Sequence, residues 1–310
     1  MTGTAMLFPG QGEQRPGMLH RLPGDTDDVL AEAADTLGEE PLELDTESVL
    51  AGTRGAQLAL LIAGTAWYRA AERRGLEADH LAGHSVGLWT AAVAARALDF
   101  AESLRLVNLR ATAMHAASPR HAGMIVVDGP GHPEVVAAAV AVREAGHQVW
   151  PSNVNSPTQA TASGTDDGLR ALTDRLAATG ARVRRLAVTV PAHCPLMTPA
   201  AECVRDALRT VPVRPPALPI AGNMTGQTIF TADKLRRELA DSIEHGVRWD
   251  LATAILAERG VNRWIQIAPG RALIRLVPSG AAYAMADVGL DQLIRRLVPA
   301  TESEKKQQQA

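Results

Sequence analysis

The chain is poor in cysteine, has no excess of positive charge and contains no long uncharged apolar run. Its two cysteines, Cys194 and Cys203, are too few for a disulfide framework, which predicts a reducing, cytoplasmic environment. The formal net charge of -3 over 310 residues gives no global basic field. Neither nucleic acid nor an anionic membrane surface is therefore an expected partner. No uncharged apolar stretch reaches the roughly 18 residues that a membrane-spanning helix needs.

The two ends of the chain also lack particular signals. The N-terminus, MTGTAMLFPGQG, has no basic region and only a very short apolar run, so we expect no signal peptide. The last segment, 301–310, is entirely polar apart from its final alanine and is predicted to be disordered.

The remainder alternates apolar strands with helices in two different orders. Residues 1–122 and 191–300 have the pattern of a large α/β domain, in which a short first strand is followed by long helices and further strands. Residues 123–190 have the order β-α-β-β-α-β, which is typical of a ferredoxin-like α+β unit. The sequence therefore predicts a large α/β domain with a small ferredoxin-like subdomain inserted into it.

A candidate nucleophile lies in the pentapeptide GHSVG, residues 83–87. A short strand precedes it, and a helix with no charged side chain from Val86 to Ala95 follows it. This strand–turn–helix context is the one that a nucleophile elbow requires. Because G-x-S-x-G also occurs by chance in glycine-rich chains, Ser85 needs a base and oxyanion donors from elsewhere in the chain.

The pattern identifies these partners only in part. At an elbow, the backbone amide after the serine, here that of Val86, is one donor, and the PGQG loop at 9–12 can bring a second amide close. The base should be a histidine. His193 lies in VTVPAHCPLM between two prolines that fix the backbone, and His245 is its main rival. The adjacent Cys194 is expected to be a small buried residue and not a catalytic partner.

Seven segments resemble the malonyl-CoA:acyl carrier protein transacylases in order and spacing, over nearly the whole chain. They are FPGQG (8–12), TRGAQLALL (53–61), GHSVG (83–87), LVNLRATAM (106–114), NVNSPTQATASG (153–164), VTVPAHCPLM (188–197) and APG (268–270). Within that family, the segment FPGQGEQRPGMLHRLP is most similar to the epsilon subunit of malonate decarboxylase, which charges the carrier protein of that complex.

The resemblance implies an α/β-hydrolase-like large domain with a parallel sheet, and it implies roles for individual residues. Ser85 would be the nucleophile and His193 the base. The backbone amides of Gln11 and Val86 would form the oxyanion hole. The backbone carbonyl of Arg248, and not an acidic side chain, would orient the imidazole.

The resemblance also assigns substrate-binding residues. Arg110 would bind the free carboxylate of the malonyl group, Gln57 would line the pocket, and Asn155 would lie near the base. Arg110 falls on an apolar helical stripe, where an unpaired arginine is costly. From the residues alone, the favoured explanation is an internal ion pair with an acidic side chain, or a buried stem that carries the charged group out to solvent. The resemblance instead favours a bidentate carboxylate site.

Three functions follow from these alternatives. The first is acyl transfer from malonyl-CoA to a carrier-protein thiol through a Ser85 ester, in malonate decarboxylase or alternatively in fatty acid or polyketide synthesis. The second is a serine esterase of the α/β-hydrolase class, but that class has its histidine near the C-terminal end, and here more than a third of the chain follows His193. The third is a non-catalytic scaffold, which would not need Ser85, His193 and Arg110 together.

Acyl transfer predicts an acyl carrier protein as partner, together with other malonate decarboxylase subunits if the chain works in that complex. It predicts no metal and no bound cofactor, because the coenzyme A thioester is itself a substrate.

Overall fold

The computed structural model describes residues 3–298, which form two β-sheets with helices packed around them. The strands are β1 (Gly3–Phe8), β2 (His80–Gly83), β3 (Ala122–Asp128), β4 (Val149–Ser156), β5 (Gln159–Thr165), β6 (Arg182–Arg185), β7 (Ile220–Ala221), β8 (Thr228–Ile229), β9 (Val247–Arg248), β10 (Val261–Gln266) and β11 (Ala281–Ala284). The helices are α1 (Asp27–Leu37), α2 (Glu47–Leu50), α3 (Thr53–Arg73), α4 (Gly87–Ala94), α5 (Phe100–Ala117), α6 (His132–Glu144), α7 (Asp166–Ala177), α8 (Thr198–Leu208), α9 (Ala232–Asp241), α10 (Trp249–Glu258), α11 (Met285–Val288) and α12 (Leu290–Leu297).

The larger sheet has the strand order β11-β10-β1-β2-β7-β8. Its neighbouring strands are parallel except for the antiparallel pair β7–β8. Alternate side chains of β1 point to opposite faces, so Met6 and Phe8 join one core cluster while Ala5 and Leu7 join another. Burial on both faces explains why this short strand is apolar at every position from Ala5 to Phe8.

The smaller sheet has the order β6-β3-β5-β4-β9 and covers its own apolar cluster together with α6 and α7. The pairs within residues 122–185 are antiparallel, in the predicted β-α-β-β-α-β order. The fifth strand, β9, comes from residues 247–248 and lies parallel to β4. Two residues carry no hydrophobic periodicity, so the sequence did not predict this strand.

The last strand of the inserted segment is shorter than its sequence pattern predicts. The alternation in ARVRRLAVTV, residues 181–190, indicates a strand over the whole segment, but β6 ends at Arg185. Beyond it, Val188 and Val190 are buried in the core of the larger unit and not beneath the smaller sheet. The alternation of apolar residues therefore reflects burial, but in its second half the apolar residues are buried in the core of the larger unit.

This architecture confirms the predicted fold class, a large α/β unit with a parallel sheet and a small α+β subdomain. Among residues 3–298, no helix combines the length and apolar character that a membrane crossing would require. The predicted disordered segment, 301–310, lies outside the described residues.

The turn between β2 and α4 packs against β1 so closely that it excludes side chains. A Cβ atom on Gly87 would lie 2.2 Å from the carbonyl oxygen of Phe8, and one on Gly83 would lie 2.1 Å from the carbonyl oxygen of Gly87. Both glycines of GHSVG are therefore required by the approach of backbone to backbone. This packing places Ser85 at the carboxyl end of β2, beside the end of β1.

We predict that Gly87→Ala destabilises the protein, because the new methyl group would meet backbone atoms that no rotamer change can move. Overpacking of this kind costs about 1–3 kcal/mol or more, which lowers the melting temperature by roughly 2–4 °C per kcal/mol in larger domains. Gly24→Ala is the matched control, because a Cβ atom there would meet no atom within 4 Å. Equal melting temperatures for the two variants would contradict the packing argument.

Candidate active site

The side chains of Ser85 and His193 meet in the active site. Ser85 lies in the elbow, and His193 lies in the segment that follows the smaller sheet. Ser85 Oγ lies 2.8 Å from His193 Nε2, although the residues are 108 positions apart in sequence. Both residues adopt left-handed backbone conformations, with φ of 54° and 63°. Such angles are uncommon outside glycine and mark backbone strain that the surrounding structure must hold in place.

The second ring nitrogen of His193 is held by a backbone carbonyl. Its Nδ1 lies 2.5 Å from the carbonyl oxygen of Ser242, which directly follows α9. Because a carbonyl oxygen only accepts, Nδ1 carries the proton and donates it, and Nε2 presents its lone pair to Ser85. The His193 backbone amide donates to the carbonyl of Ile243 at 2.9 Å.

The prediction that the carbonyl of Arg248 orients this imidazole is wrong. The last carbonyls of a helix have no partner within it, and the end of α9 therefore supplies the acceptor, six residues earlier in the chain. Arg248 instead donates its backbone amide to the carbonyl of Asn223 at 2.6 Å, and its guanidinium pairs with Asp250.

The other candidates for a base or nucleophile lie elsewhere. His245 lines a separate surface groove with His132 and Arg248. Cys194 is buried, and its thiol donates to the carbonyl of Pro191 at 3.1 Å. Burial raises the pKa of this thiol to about 12, so it stays protonated at neutral pH and is a poor nucleophile.

Arg110 is the charged residue nearest to the serine. It lies in α5 and is only 2% exposed. Its Nη2 is 3.3 Å from Ser85 Oγ, its Nη1 donates to Gln57 Oε1 at 2.5 Å, and its Nε has no hydrogen-bond partner in the described part of the chain. Within residues 3–298, no carboxylate forms a salt bridge with this guanidinium. The internal ion pair that the residues alone favoured is therefore wrong.

Gln57 connects Arg110 to the glycine-rich loop after β1. Its Nε2 donates to Thr53 Oγ1 at 2.9 Å, and that hydroxyl donates in turn to Gln11 Oε1 at 3.1 Å. Gln57 and Thr53 are both buried and lie one turn apart in α3. The helix thus fixes the guanidinium and the loop relative to each other.

These residues line a cleft of about 410 Å³ between the two sheets. The larger unit contributes Gly10, Gln11, Gly12, Glu13, Gln57, His84, Ser85, Val86, Arg110, Met114, Ala192, His193, Ala272, Leu273, Arg275 and Leu276, and the smaller sheet with its connections contributes Met124, Val126, Asn153, Asn155, Gln159, Thr161, Arg184, Leu186 and Val188. The backbone amides of Gln11 and Val86 donate to no other described residue, so both are available to an oxyanion.

Asn155 also lines the cleft, but its side-chain amide has protein partners on both sides. Its Oδ1 lies 3.2 Å from His84 Nε2, and its Nδ2 donates to Gln159 Oε1 at 3.0 Å. Asn155 therefore lies in the cleft with its side chain hydrogen-bonded to the histidine of GHSVG and to Gln159.

Asn223 is a site residue that the sequence analysis missed. Its Oδ1 accepts from the backbone amide of Ser85 at 2.9 Å, and its Nδ2 donates to the carbonyl of Gly83 at 2.8 Å. Asn223 lies in the turn GNMTG, where asparagine is common for local reasons, so the sequence carried no signal of this contact.

The charges of the site are set by burial. Desolvation, followed by the positive charge of Arg110, lowers the pKa of His193 to about 3. Desolvation lowers the pKa of Arg110 to about 10. At neutral pH the imidazole is therefore neutral and able to accept a proton, while the guanidinium remains charged. No group of three or more possible metal ligands occurs within residues 3–298.

Comparison with known proteins agrees with this geometry. Residues 5–290 match the family model described as "Acyl transferase domain". The malonyl CoA-acyl carrier protein transacylase of Escherichia coli K12 is 33% identical over 285 residues, which cover 89% of this chain and 92% of that protein. The crystal structure of FabD from Acinetobacter baumannii, 30% identical, superposes with a TM-score of 0.91 over 95% of this chain and 98% of that chain.

A further solved structure contains a malonyl-transacylase in complex with the acyl-carrier protein of a type II polyketide synthase. That match is 33% identical, with a TM-score of 0.90 over 95% of this chain and 100% of the other. The chain belongs to the acyl transferase family, in its malonyl-CoA:acyl carrier protein transacylase branch. The resemblance predicted from the seven segments is confirmed at this level, and the finer resemblance to the malonate decarboxylase subunit stays a prediction.

We predict that Ser85 keeps its reactivity in mild acid. With an ordinary histidine pKa near 6.5, the neutral fraction of the base would fall about tenfold between pH ~7.5 and ~5.5. Because the pKa of His193 is lowered, the neutral form persists to lower pH, and the rate should stay within about twofold over this range. The measurement is the rate of Ser85 sulfonylation by phenylmethylsulfonyl fluoride, with circular dichroism to show that the fold persists. A tenfold loss centred near pH ~6.5 would contradict the assigned environment.

Proposed function

We propose that the protein transfers a malonyl group from malonyl-CoA to the thiol of an acyl carrier protein through an ester of Ser85. The observation that carries this proposal is the buried guanidinium of Arg110, which has no carboxylate partner within residues 3–298 and lies 3.3 Å from Ser85 Oγ. An acyl group bound to Ser85 that ends in a free carboxylate would supply the missing anion. The planar guanidinium suits a carboxylate because it can donate two parallel hydrogen bonds.

In the loading step, Ser85 Oγ attacks the thioester carbonyl and His193 Nε2 takes its proton. The carbonyl oxygen becomes an oxyanion that the backbone amides of Gln11 and Val86 stabilise. The tetrahedral intermediate then collapses, the C–S bond breaks, and the proton on His193 passes to the leaving sulfur of coenzyme A. The product is malonyl-Ser85 and free coenzyme A.

In the unloading step, the carrier-protein thiol gives its proton to His193 and attacks the ester carbonyl. Collapse of the second intermediate breaks the C–O bond, and His193 returns the proton to Ser85 Oγ. One base thus serves both halves of a ping-pong reaction. None of these steps needs a metal or a bound cofactor, and we propose that the protein uses neither.

Carboxylate binding at Arg110 would also change the base. The positive charge of Arg110 is the second cause, after desolvation, that lowers the pKa of His193. A bound malonyl carboxylate would offset that charge and raise the pKa of the imidazole toward its ordinary range. Substrate binding would therefore strengthen the base at the moment it is needed.

The carrier protein that accepts the malonyl group distinguishes two alternatives, and the similar proteins support one of them. Two of the relatives described above are named as malonyl transacylases, and one of these was solved with a polyketide carrier protein. This supports a transacylase of fatty acid or polyketide synthesis. The malonate decarboxylase alternative rests on the segment FPGQGEQRPGMLHRLP. Malonyl transfer to a fatty-acid or polyketide carrier, compared with transfer to the carrier subunit of a malonate decarboxylase, distinguishes the two. A cytoplasmic location is part of the proposal.

We expect Ser85→Ala to form no covalent adduct with malonyl-CoA, because the hydroxyl that it removes is the one within hydrogen-bonding distance of His193 Nε2. Intact-protein mass spectrometry measures the adduct. His193→Ala should slow loading and discharge together, while His245→Ala, in its separate groove, should behave as wild type. A wild-type adduct on Ser85→Ala would refute the nucleophile assignment.

We predict that Arg110→Met cuts kcat/KM for malonyl-CoA steeply and spares acetyl-CoA, which has no free carboxylate. Losing one partner of a desolvated charge pair costs about 2–5 kcal/mol, or roughly 30- to several-thousand-fold at 1.4 kcal/mol per decade. The melting temperature should change little, because removal of a buried unpaired charge offsets the loss of the donor to Gln57 Oε1.

The matched control for this prediction is Arg105→Ala, on the same helix, where the exposed arginine pairs with Glu102 at the surface. That variant should leave the ratio of the two kcat/KM values unchanged. An unchanged ratio in Arg110→Met, together with a lowered melting temperature, would return Arg110 to a structural role.

A further inference from the structure

Helix α9 lies behind the active site and contacts both sides of the Ser85–His193 pair. Ser242, directly after its last residue, presents the carbonyl that binds His193 Nδ1. One turn earlier, Glu238 presents a buried carboxylate to the chain that carries Asn223. The Ser242 amide donates to the carbonyl of Glu238 at 3.3 Å, so the two groups belong to the same turn.

Asn223 is the contact between this helix and the nucleophile elbow. Its side chain bridges the elbow, accepting from the amide of Ser85 and donating to the carbonyl of Gly83. Only a group with an acceptor and a donor side by side satisfies both, which asparagine provides and alanine or leucine does not. The bridge ends on the backbone amide of Ser85, the residue whose φ of 54° is strained, so it opposes relaxation of the elbow.

Glu238 in turn fixes the position of Asn223. Its Oε2 accepts from the backbone amides of Asn223 at 2.9 Å and Met224 at 3.1 Å. The residue is only 2% exposed, and no described basic group forms a salt bridge with it. The close approach of Gly222, where a Cβ atom would lie 2.6 Å from Glu238 Oε1, leaves this loop no room to shift toward the helix.

We propose that Asn223 and Glu238 are positioning residues that tie the nucleophile to the base through one turn of α9. The chain of contacts runs from Ser85 to Asn223, from Asn223 to Glu238, and through the turn to Ser242 and His193. It connects the backbone of the elbow to the carbonyl that orients the imidazole, and so sets the separation of Ser85 Oγ and His193 Nε2. The inference rests on the proposed function only in taking Ser85 as the nucleophile.

The test uses a reagent that needs the nucleophile and base but neither malonate nor a carrier. In the reaction with phenylmethylsulfonyl fluoride, an S–O bond to Ser85 forms, fluoride leaves, and the serine proton passes to His193. Asn223→Ala and Glu238→Leu should lower this rate about tenfold to a hundredfold, because small misplacements of reacting groups have effects of that size. The kcat for malonyl transfer should fall in parallel, while the Kd for coenzyme A stays unchanged.

Two comparisons separate positioning from general stability. Glu238→Gln keeps an oxygen acceptor for the two amides and should retain most of the rate that Glu238→Leu loses. Leu235→Ala, a buried position on the same helix, should lower the melting temperature and leave the sulfonylation rate of the folded protein unchanged. If Asn223→Ala does not fold, Asn223→Asp, which keeps only the acceptor for Ser85, replaces it and should give a smaller loss.

Wild-type sulfonylation in Glu238→Leu and in the folded Asn223 variant would overturn the proposal, as would an equal loss in Leu235→Ala. Failure of the proposed function gives a different pattern. A wild-type protein that is sulfonylated but transfers no malonyl group would refute malonyl transfer, and the sulfonylation rates of the variants would still decide the role of Asn223 and Glu238.

Discussion

The site is organised around one positive charge, the guanidinium of Arg110, which is buried without a carboxylate partner among residues 3–298. A guanidinium in a desolvated cleft is costly, and in this part of the chain its hydrogen-bond partners are Gln57 and the nucleophile itself. Gln57, itself held by Thr53, binds the guanidinium. Desolvation first, and the positive charge of Arg110 second, lower the pKa of the nearby imidazole and keep it neutral. Burial of this charge destabilises the protein, and a carboxylate on the substrate would offset that cost. The residue that lowers the stability of the protein therefore also selects the substrate.

The nucleophile and base depend on a second constraint, which is backbone strain. Ser85 and His193 both stand in the left-handed region, and neither would remain there without help from its surroundings. The glycines on either side of Ser85 allow the elbow to press against β1, and the amide of Asn223 holds it from the other side. His193 is held by consecutive carbonyls at the end of α9. Rigid packing therefore replaces the acidic side chain that orients the histidine in many serine enzymes.

The features of the fold and site that local sequence patterns encode could be predicted from the sequence. The elbow at GHSVG, the order of the inserted segment and the stripe that buries Arg110 all follow from short-range periodicity and spacing. The absence of an ion pair at Arg110 could not be predicted, because it depends on which acidic residues the fold brings near. Ser242 was missed for a similar reason, since every residue has a carbonyl and only the end of α9 decides which one faces the ring. Asn223 and the two-residue strand β9 carry no local signal at all.

The strand β9 has a consequence for how the two units relate. Although residues 123–190 form a continuous insertion in the chain, their sheet is completed by residues 247–248, which the larger unit supplies. Removing the insertion would leave β9 as a bare edge with unpaired backbone groups, and producing the insertion alone would expose the outer edge of β4 in the same way. The small subdomain is therefore not a transplantable module, and a chimera between relatives should exchange the β9 segment together with it.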